Sequence, residues 1–325
     1  MVKGIRIHAA ERAERRRYRV EELHDAAQIE ALLEPRRLYA AYAVGQLDPE
    51  LIGLIDCWRA ADEAGGEGAF VMYSRGGLGD AMFCMGDPGA LEAILALHQG
   101  PRQNYATCEP RHVETMSRFF ALASERPMLR MAVTAHAFRA PPPASGAFVR
   151  RLTGGDARTL NRLYNSEGSP TYYSGKQIDE GRYFGVFAQD RLVAVAGTHV
   201  VSQTEGIAVV GNVFTHPGWR GRGYATLATG ATTAHLLGYC RDVVLTVDPE
   251  NTPAVRAYQR LGYETICRLV EAAVTRRELL GLGSYFRRLR ARLRGGSGAE
   301  IVVRSRIQRE PLVQPLGRGT AKESA

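Results

Sequence analysis

From residue 156 onward the apolar positions change period several times, and each change marks an element. In "DARTLNRLYNSEG" (156–168), Leu160 and the Leu163–Tyr164 pair fall at helical spacing behind Asp156, a residue type that caps helix N-termini. Residues 182–201 predict two strands around a short turn at Gln189-Asp190. "GIAVVGNVFT" (206–215) predicts a buried strand whose central Gly211 marks a bulge. A helix over 223–239, a strand over 242–248, a helix over 251–263 that ends on Gly262 and a strand over 264–274 follow. "APPPASG" (140–146) cannot continue a helix or a central strand. It therefore divides the body into residues 18–139 and 147–275, with arms at 1–17 and 276–325. In the second arm, 284–294 predicts a short basic helix, and the last ~25 residues have the composition of a poorly ordered end.

Between the 206–215 strand and the next helix stands "HPGWRGRGYATLA" (216–228). A helix N-terminus leaves backbone N–H groups unpaired and carries partial positive charge, so it accepts anions. Gly221 and Gly223 allow close approach of the main chain, and Arg220 and Arg222 add charged donors. Neither a Walker lysine nor a G-x-G-x-x-G pattern is present, which argues against a nucleoside-triphosphate loop or a dinucleotide fingerprint. Downstream, Asn251, Ala254, Tyr258 and Gly262 share one helix face, where a small residue between two polar ones leaves room for a ligand. Alone, Tyr258 would read as a core tyrosine with its hydroxyl satisfied by backbone. Its place after a phosphate-type loop favours a ligand instead.

Charge and cysteine content narrow the classes. Hydrophobic residues are 45% and charged residues 23% of 325, enough for a sizeable globular core. The net charge of +8 sits in the arms: residues 1–20 carry +5 and residues from Arg276 onward carry +8, which leaves the body at −5. Nucleic acid is therefore not a required partner, although the basic tail offers a docking surface for an anionic one. The first 20 residues lack an apolar core, unlike a secretory leader, and no run approaches the ~20 apolar residues of a membrane span. Five scattered cysteines without metal spacing fit buried free thiols in a reducing cytoplasm and no bound metal.

The two segments "VVGNVFTHPGWRGRGYATLA" and "LTVDPENTPAVRAYQRLGYE" together resemble the acyl-CoA-binding core of the GNAT acyltransferase superfamily. The resemblance covers residues 147–275. It implies an α/β (α+β) fold in which a mixed, mostly antiparallel sheet flanked by helices has two central strands that splay apart to admit acetyl-CoA or another acyl-CoA. It further implies that main-chain groups of Val213, Phe214 and Thr215 hold the pantetheine. Arg220, Gly221, Arg222, Gly223, Tyr224 and Ala225 would hold the pyrophosphate, Asn251 would contact the CoA arm, and Tyr258 would protonate the departing thiolate. The reaction implied is direct attack of a primary amine on the thioester, through a tetrahedral intermediate. Many relatives carry a Glu as base eleven residues before Arg220, where this chain has Val209. Glu205, on the same face if the strand is regular, and His199 on the preceding strand are the remaining candidates.

A shift of 139 residues lays "ATCEPRHVETMSRFFALA" (106–123) on "LTVDPENTPAVRAYQRLG" (245–262) without a gap, placing Thr107 on Thr246, Pro110 on Pro249, His112 on Asn251 and Phe119 on Tyr258. The loop motif has no counterpart near 81–86, and Asp87 caps the helix that follows. The first half is accordingly expected to be a degenerate GNAT-like domain that cannot cradle pyrophosphate. Tandem halves of this kind also resemble the glycine N-acyltransferase group. The segment 164–183 suits a small polar amine, including one with a carboxylate near Lys176 or Arg182. The competing expectation is a catalytically weak acyl-CoA-binding regulatory protein. Acceptor identity, acyl length and oligomeric state are not encoded in any of these patterns.

Overall fold

The computed structural model describes residues 16–76, 79–168, 172–278, 282–294 and 303–305. In chain order, its first half contains β1 (Arg16–Leu23), α1 (Ala26–Leu33), α2 (Ala41–Gly45), β2 (Ile55–Asp62), β3 (Ala69–Ser74), β4 (Ala81–Gly86), α3 (Pro88–Leu97), β5 (Gln103–Cys108), α4 (Val113–Ser117) and β6 (Phe120–Val133). The second half repeats the order with β7 (Ala147–Arg151), α5 (Ala157–Tyr164), α6 (Gly175–Glu180), β8 (Phe184–Ala188), β9 (Arg191–Ser202), β10 (Ile207–Thr215), α7 (Tyr224–Leu236), β11 (Asp242–Val247), α8 (Thr252–Arg260) and β12 (Glu264–Arg276). Helix α9 (Leu282–Arg294) and β13 (Val303–Ser305) follow. Strands β5 and β11, and the first residues of α4 and α8, stand at the 139-residue offset seen in the sequence.

The local reasons for these elements are legible. Gln189 and Asp190 both take positive φ, 50° and 57°, the backbone of a tight hairpin between β8 and β9. Helix α8 is capped by Asn251, whose Oδ1 accepts from Ala254 N at 3.2 Å, and the chain leaves it through Gly262 at φ 92°. A Cβ at Gly262 would lie 2.1 Å from the Ala137 carbonyl oxygen, so only glycine fits there.

The thirteen strands of the described residues form one mixed sheet in the order β13-β1-β2-β3-β4-β5-β12-β6-β11-β10-β9-β8-β7. The two expected sheets are thus one, because the halves exchange their last strands. Strand β12, from the second half, lies between β5 and β6, and β6, from the first, lies between β12 and β11. The proline-rich segment therefore joins two stretches of chain whose ladders interpenetrate. Alternation along β12 separates the two faces: Leu269 packs with Leu33, Val44 and Val244, whereas Val270 packs with Leu91, Ile94 and Phe120. Helices α1 and α2 cover the first face, α3 and α4 the second. In the second half α7 and α8 lie on the same side as α3, against Val210, Leu245 and Tyr263. The segment around α2 also reaches across to the second half. There Arg37 Nε donates to Asp242 at 3.0 Å and Ser202 Oγ to Asp48 at 3.0 Å.

Helix α9 covers the predicted basic helix at 284–294 and docks on the body through Arg287, whose Nε donates to the Ala96 carbonyl at 2.6 Å. Tyr285 and Phe286 stay exposed on it. The basic ends at 1–15 and 306–325 lie outside the described residues. All five cysteines are free thiols, four of them buried. No described helix is long and apolar enough to cross a membrane.

Because each half lacks the central strand that the other supplies, residues 16–139 and 147–278 produced as separate chains are expected to be insoluble or to lack a cooperative thermal transition. Co-production of the two pieces should restore both solubility and the transition, read by circular dichroism. A stable, cooperatively melting 147–278 fragment would show that the exchange is dispensable.

Candidate functional site

Strands β10 and β11 run parallel and pair from Ile207–Asp242 to Val210–Leu245, and there the ladder stops. Beyond Val210, β10 keeps only β9 as a neighbour, and its register shifts between Gly211 and Phe214. The expected bulge is present, one residue on from Gly211: Asn212 takes φ 53°, unusual for a residue with a side chain. The main-chain groups of Gly211–Thr215 that face away from β9 thus border a gap between strands. Such a gap can accept an extended chain of amide groups by strand-like hydrogen bonding.

At the open end of this gap α7 begins. Gly221 and Gly223 take φ of 78° and 77°, and a Cβ at either would meet nothing within 4 Å. Gly223 is the N-cap residue and supplies no side chain, so the first amides of α7, from Tyr224 onward, are uncapped. Two guanidinium groups flank them. Arg222 stacks on Trp219, with Cζ 4.9 Å from the ring centroid. Arg220 donates through Nε to the Thr215 carbonyl at 3.2 Å and pairs with Glu167 at 2.5 Å. Tyr224 is buried and Ala225 half-buried at the start of the helix. Tyr258, in the apolar cluster that also takes in Val210 and Val213, is 8% exposed, packs 6.0 Å from the Tyr263 ring, and has no hydrogen-bond partner for its hydroxyl among the described residues. Burial pushes its pKa up to about 12, so it stays protonated at neutral pH.

The corresponding places in the first half are filled from within. Strands β4 and β5 also pair in parallel and part after Phe83–Thr107. There the Tyr39 hydroxyl donates to the Cys84 carbonyl at 2.6 Å, and His112 Nε2 is 2.7 Å from the Gly86 carbonyl. His112 is fully buried, and burial holds its pKa below the ordinary value. At the start of α3, Asp87 accepts from the amides of Gly89 and Ala90 at 2.9 Å each and from the Tyr18 hydroxyl at 2.9 Å. A carboxylate of the chain itself thus occupies the helix terminus that would otherwise receive phosphate. This half therefore has its own groups where the second half has open ones.

The two candidate bases part company. Glu205 lies in the turn between β9 and β10, and the regular strand that would carry it onto the face of Val209 begins only at Ile207. Its carbonyl accepts from Arg37 and its amide donates to Ser202 Oγ, at the paired end of β10, six residues before the gap opens at Gly211. The strand from Ile207 to Gly211 alone spans ~13 Å, and the charges around Glu205 are those of Glu30, Arg37, Asp48 and Glu34, so Glu205 stands away from the gap. His199 is at the gap: its ring packs over Gly211, where a Cβ would come within 2.3 Å of Nε2. Its Nε2 is 3.1 Å from Asn212 Oδ1 and its Nδ1 is 2.6 Å from the Tyr42 hydroxyl. Asn212 is the hub of this face, since its Nδ2 donates to Tyr183 Oη at 2.9 Å and its Oδ1 accepts from Tyr173 at 3.0 Å. Tyr164 donates to its carbonyl at 2.5 Å. Lys176 and Arg182, considered for an acceptor carboxylate, are held elsewhere: Lys176 is exposed beside Glu180 at 3.4 Å, and Arg182 donates to the Glu180 carbonyl at 2.8 Å.

Sequence reasoning missed Tyr42 and Arg130. Arg130 is a fully buried cation on β6, opposite Thr246, to whose hydroxyl it donates, and its Cζ lies 5.1 Å from the Tyr42 ring centroid. An arginine inside an otherwise apolar strand end, "MLRMAV", was the available signal.

Residues 156–263 match the family model described as "Acetyltransferase (GNAT) family". A solved protein of Drosophila malonogaster shares the fold with a TM-score of 0.55 at 14% identity, over 78% of this chain and 98% of that one. A GCN5-related N-acetyltransferase from Sphaerobacter thermophilus aligns with a TM-score of 0.49 at 17% identity, over 79% and 95% of the two chains. A tandem GNAT protein from the clavulanic acid biosynthesis pathway aligns with a TM-score of 0.47 at 14% identity, over 80% and 98%. No curated protein matches. With a parted parallel strand pair, an uncapped glycine-rich helix start and the family match on the same segment, residues 156–263 are a domain of the GNAT acetyltransferase family.

Proposed function

We propose that the protein transfers an acetyl or other short acyl group from acyl-CoA to a primary amine of a small polar acceptor. One observation carries this: the β10 edge freed past Val210–Leu245 lies between the uncapped amides of α7 and Tyr258, which packs with Val213 and whose hydroxyl has no partner among the described residues. The gap and the open space over Gly221 and Gly223 fit an extended arm ending in a pyrophosphate. Acyl-CoA, when bound, supplies the thioester carbon that the amine attacks.

The residues divide the work by place. The amides of Gly221 to Ala225 and the guanidinium groups of Arg220 and Arg222 hold phosphate, with Arg220 exchanging Glu167 for it. The free edge of β10, at Val213, Phe214 and Thr215, aligns the arm and directs amides at the oxygen where negative charge develops. Asn251 caps α8 through Oδ1, which leaves its amide nitrogen to the CoA arm. Tyr258 has the higher pKa, about 12 against ~8.5 for a thiol. It therefore stabilises the departing sulfur by donating a hydrogen bond and sharing its proton, not by surrendering it outright.

Arg220→Ala is expected to weaken acetyl-CoA binding about tenfold by calorimetry, the worth of one charge-assisted contact. In the filled half, Phe119→Leu and His112→Asn should leave the affinity within about twofold. Equal losses from both sets would remove the assignment of the binding site to the second half. Tyr258→Phe should lower kcat roughly 100-fold with the acetyl-CoA affinity unchanged, followed by thiol release with a panel of amines. Tight acetyl-CoA binding by the unaltered protein without turnover on any amine would favour the regulatory alternative.

A further inference from the structure

On the face opposite α7 and α8, a cavity of about 290 Å³ opens between the two halves. Its walls include Tyr42 and Ala43 from α2, Met72 from β3, Phe83 from β4, His199 from β9 and Glu271 from β12. Among the described residues that line it, Glu271 is the one carboxylate and none is an arginine or lysine. Glu271 accepts from the Tyr105 hydroxyl at 3.2 Å and has no ion pair among the described residues. At the other end stand Tyr42 and His199, joined at 2.6 Å, and His199 is joined to Asn212, two residues past the last β10–β11 pair.

The hydrogen bonds fix where the protons are. Asn212 Nδ2 donates to Tyr183 while Oδ1 accepts from Tyr173, so it is the oxygen that faces His199. His199 Nε2 therefore carries hydrogen, and in the neutral ring Nδ1 is bare and accepts from the Tyr42 hydroxyl. Beneath Tyr42 lies Arg130, whose Nε and Nη2 are buried without a partner among the described residues. A buried guanidinium favours negative charge on what it faces; here it faces the Tyr42 phenol, and its charge acts on the Glu271 carboxylate as well. Burial raises the Tyr42 pKa, the charge of Arg130 works against that rise, and the charge of Glu271 adds to it until an ammonium ion faces that carboxylate.

We propose that this cavity is the acceptor site, that it receives the amine as its ammonium ion facing Glu271, and that Tyr42 and His199 together take the proton the amine must lose. The proposal rests on the acyl-transfer function above. The ammonium N–H bond breaks as its proton passes to Tyr42 Oη, and the Tyr42 proton passes to His199 Nδ1. This leaves a neutral amine and an imidazolium that returns its proton to solvent through the cavity. Arg130 is a positioning residue: it holds the Tyr42 ring and stabilises the passing phenolate without touching substrate. The first half thus supplies the proton relay, Tyr42, and its positioning residue, Arg130, for a base that stands on the second.

The acid limb of the rate profile follows from the same contacts. Burial lowers the His199 pKa, the bond to Asn212 opposes that, and the charge of Arg130 lowers it further. Facing the ring are Tyr42 from α2, Arg130 from β6, Asn212 from β10 with its partner Tyr183, and Glu271 across the cavity. The neutral, proton-accepting form therefore persists to pH values below 6.5, and the rate should fall only as pH drops beneath that.

The test uses the full chain with acetyl-CoA and an unbranched diamine as probe. Tyr42→Phe, which keeps the ring over Arg130, should lower kcat at least about tenfold with KM within about twofold, and should alter the acid limb. Glu271→Gln should raise KM for the diamine about fivefold or more with kcat little changed. Thermal melting of each variant establishes that it is folded. Unchanged kinetics in either variant would overturn the proposal. So would a protein that binds acetyl-CoA by calorimetry but not the diamine, in which case the CoA-binding function stands and this acceptor site falls. Failure to bind acetyl-CoA at all would remove the function and the site together.

Discussion

The termination of one hydrogen-bond ladder governs this molecule. Parallel strands in a closed core normally stay paired, because an unpaired main-chain amide inside a protein costs free energy comparable to a lost hydrogen bond. Here β10 and β11 separate after Val210–Leu245, and the positive φ of Asn212 turns β10 away. The unsatisfied edge is kept open only because other parts of the chain hold both strands in place. Strand β9 holds β10 and β6 holds β11. The groups proposed to hold acyl-CoA lie along the resulting gap or at its ends, and the proposed acceptor cavity meets it at His199 and Asn212.

The first half shows what the same architecture does when the edge is not needed. Tyr39, His112 and Asp87 each satisfy one of the groups that the second half leaves free. The geometry of parted strands followed by a helix persists, and its chemistry is cancelled by three side chains. Yet this half is not a passive copy, because Arg130 and Tyr42 reach the neighbouring site from it.

Much of this was legible in the chain, for physical reasons that differ by feature. The Gln189-Asp190 hairpin, the Gly221 and Gly223 turn and the cap at Asp87 are local: residue type sets backbone angles and short-range hydrogen bonds. The 139-residue repeat was visible because each unit keeps its own strand–turn–helix pattern. Strand exchange was not, since main-chain pairing between β6, β11 and β12 is indifferent to side chains and leaves the apolar alternation of each strand unchanged. Glu205 misled because the period-2 rule was extended past the start of the strand into a turn. The pairing of Tyr42 with His199, 157 residues apart, depends wholly on how α2 crosses to the other half.

The exchange also shapes how the chain must be made. Strand β6 is complete at Val133, but both of its ladder partners, Asp242–Val247 and Glu264–Arg276, emerge from the ribosome about a hundred residues later. At roughly 5–20 residues per second, that leaves a long strand with two bare edges for roughly 5–20 s. An exposed edge of that length is a template for wrong pairing with another nascent chain. Its central stretch, "SERPMLR" (124–130), carries three charges and a proline, which are the residue types that discourage such templating until the rightful partners arrive.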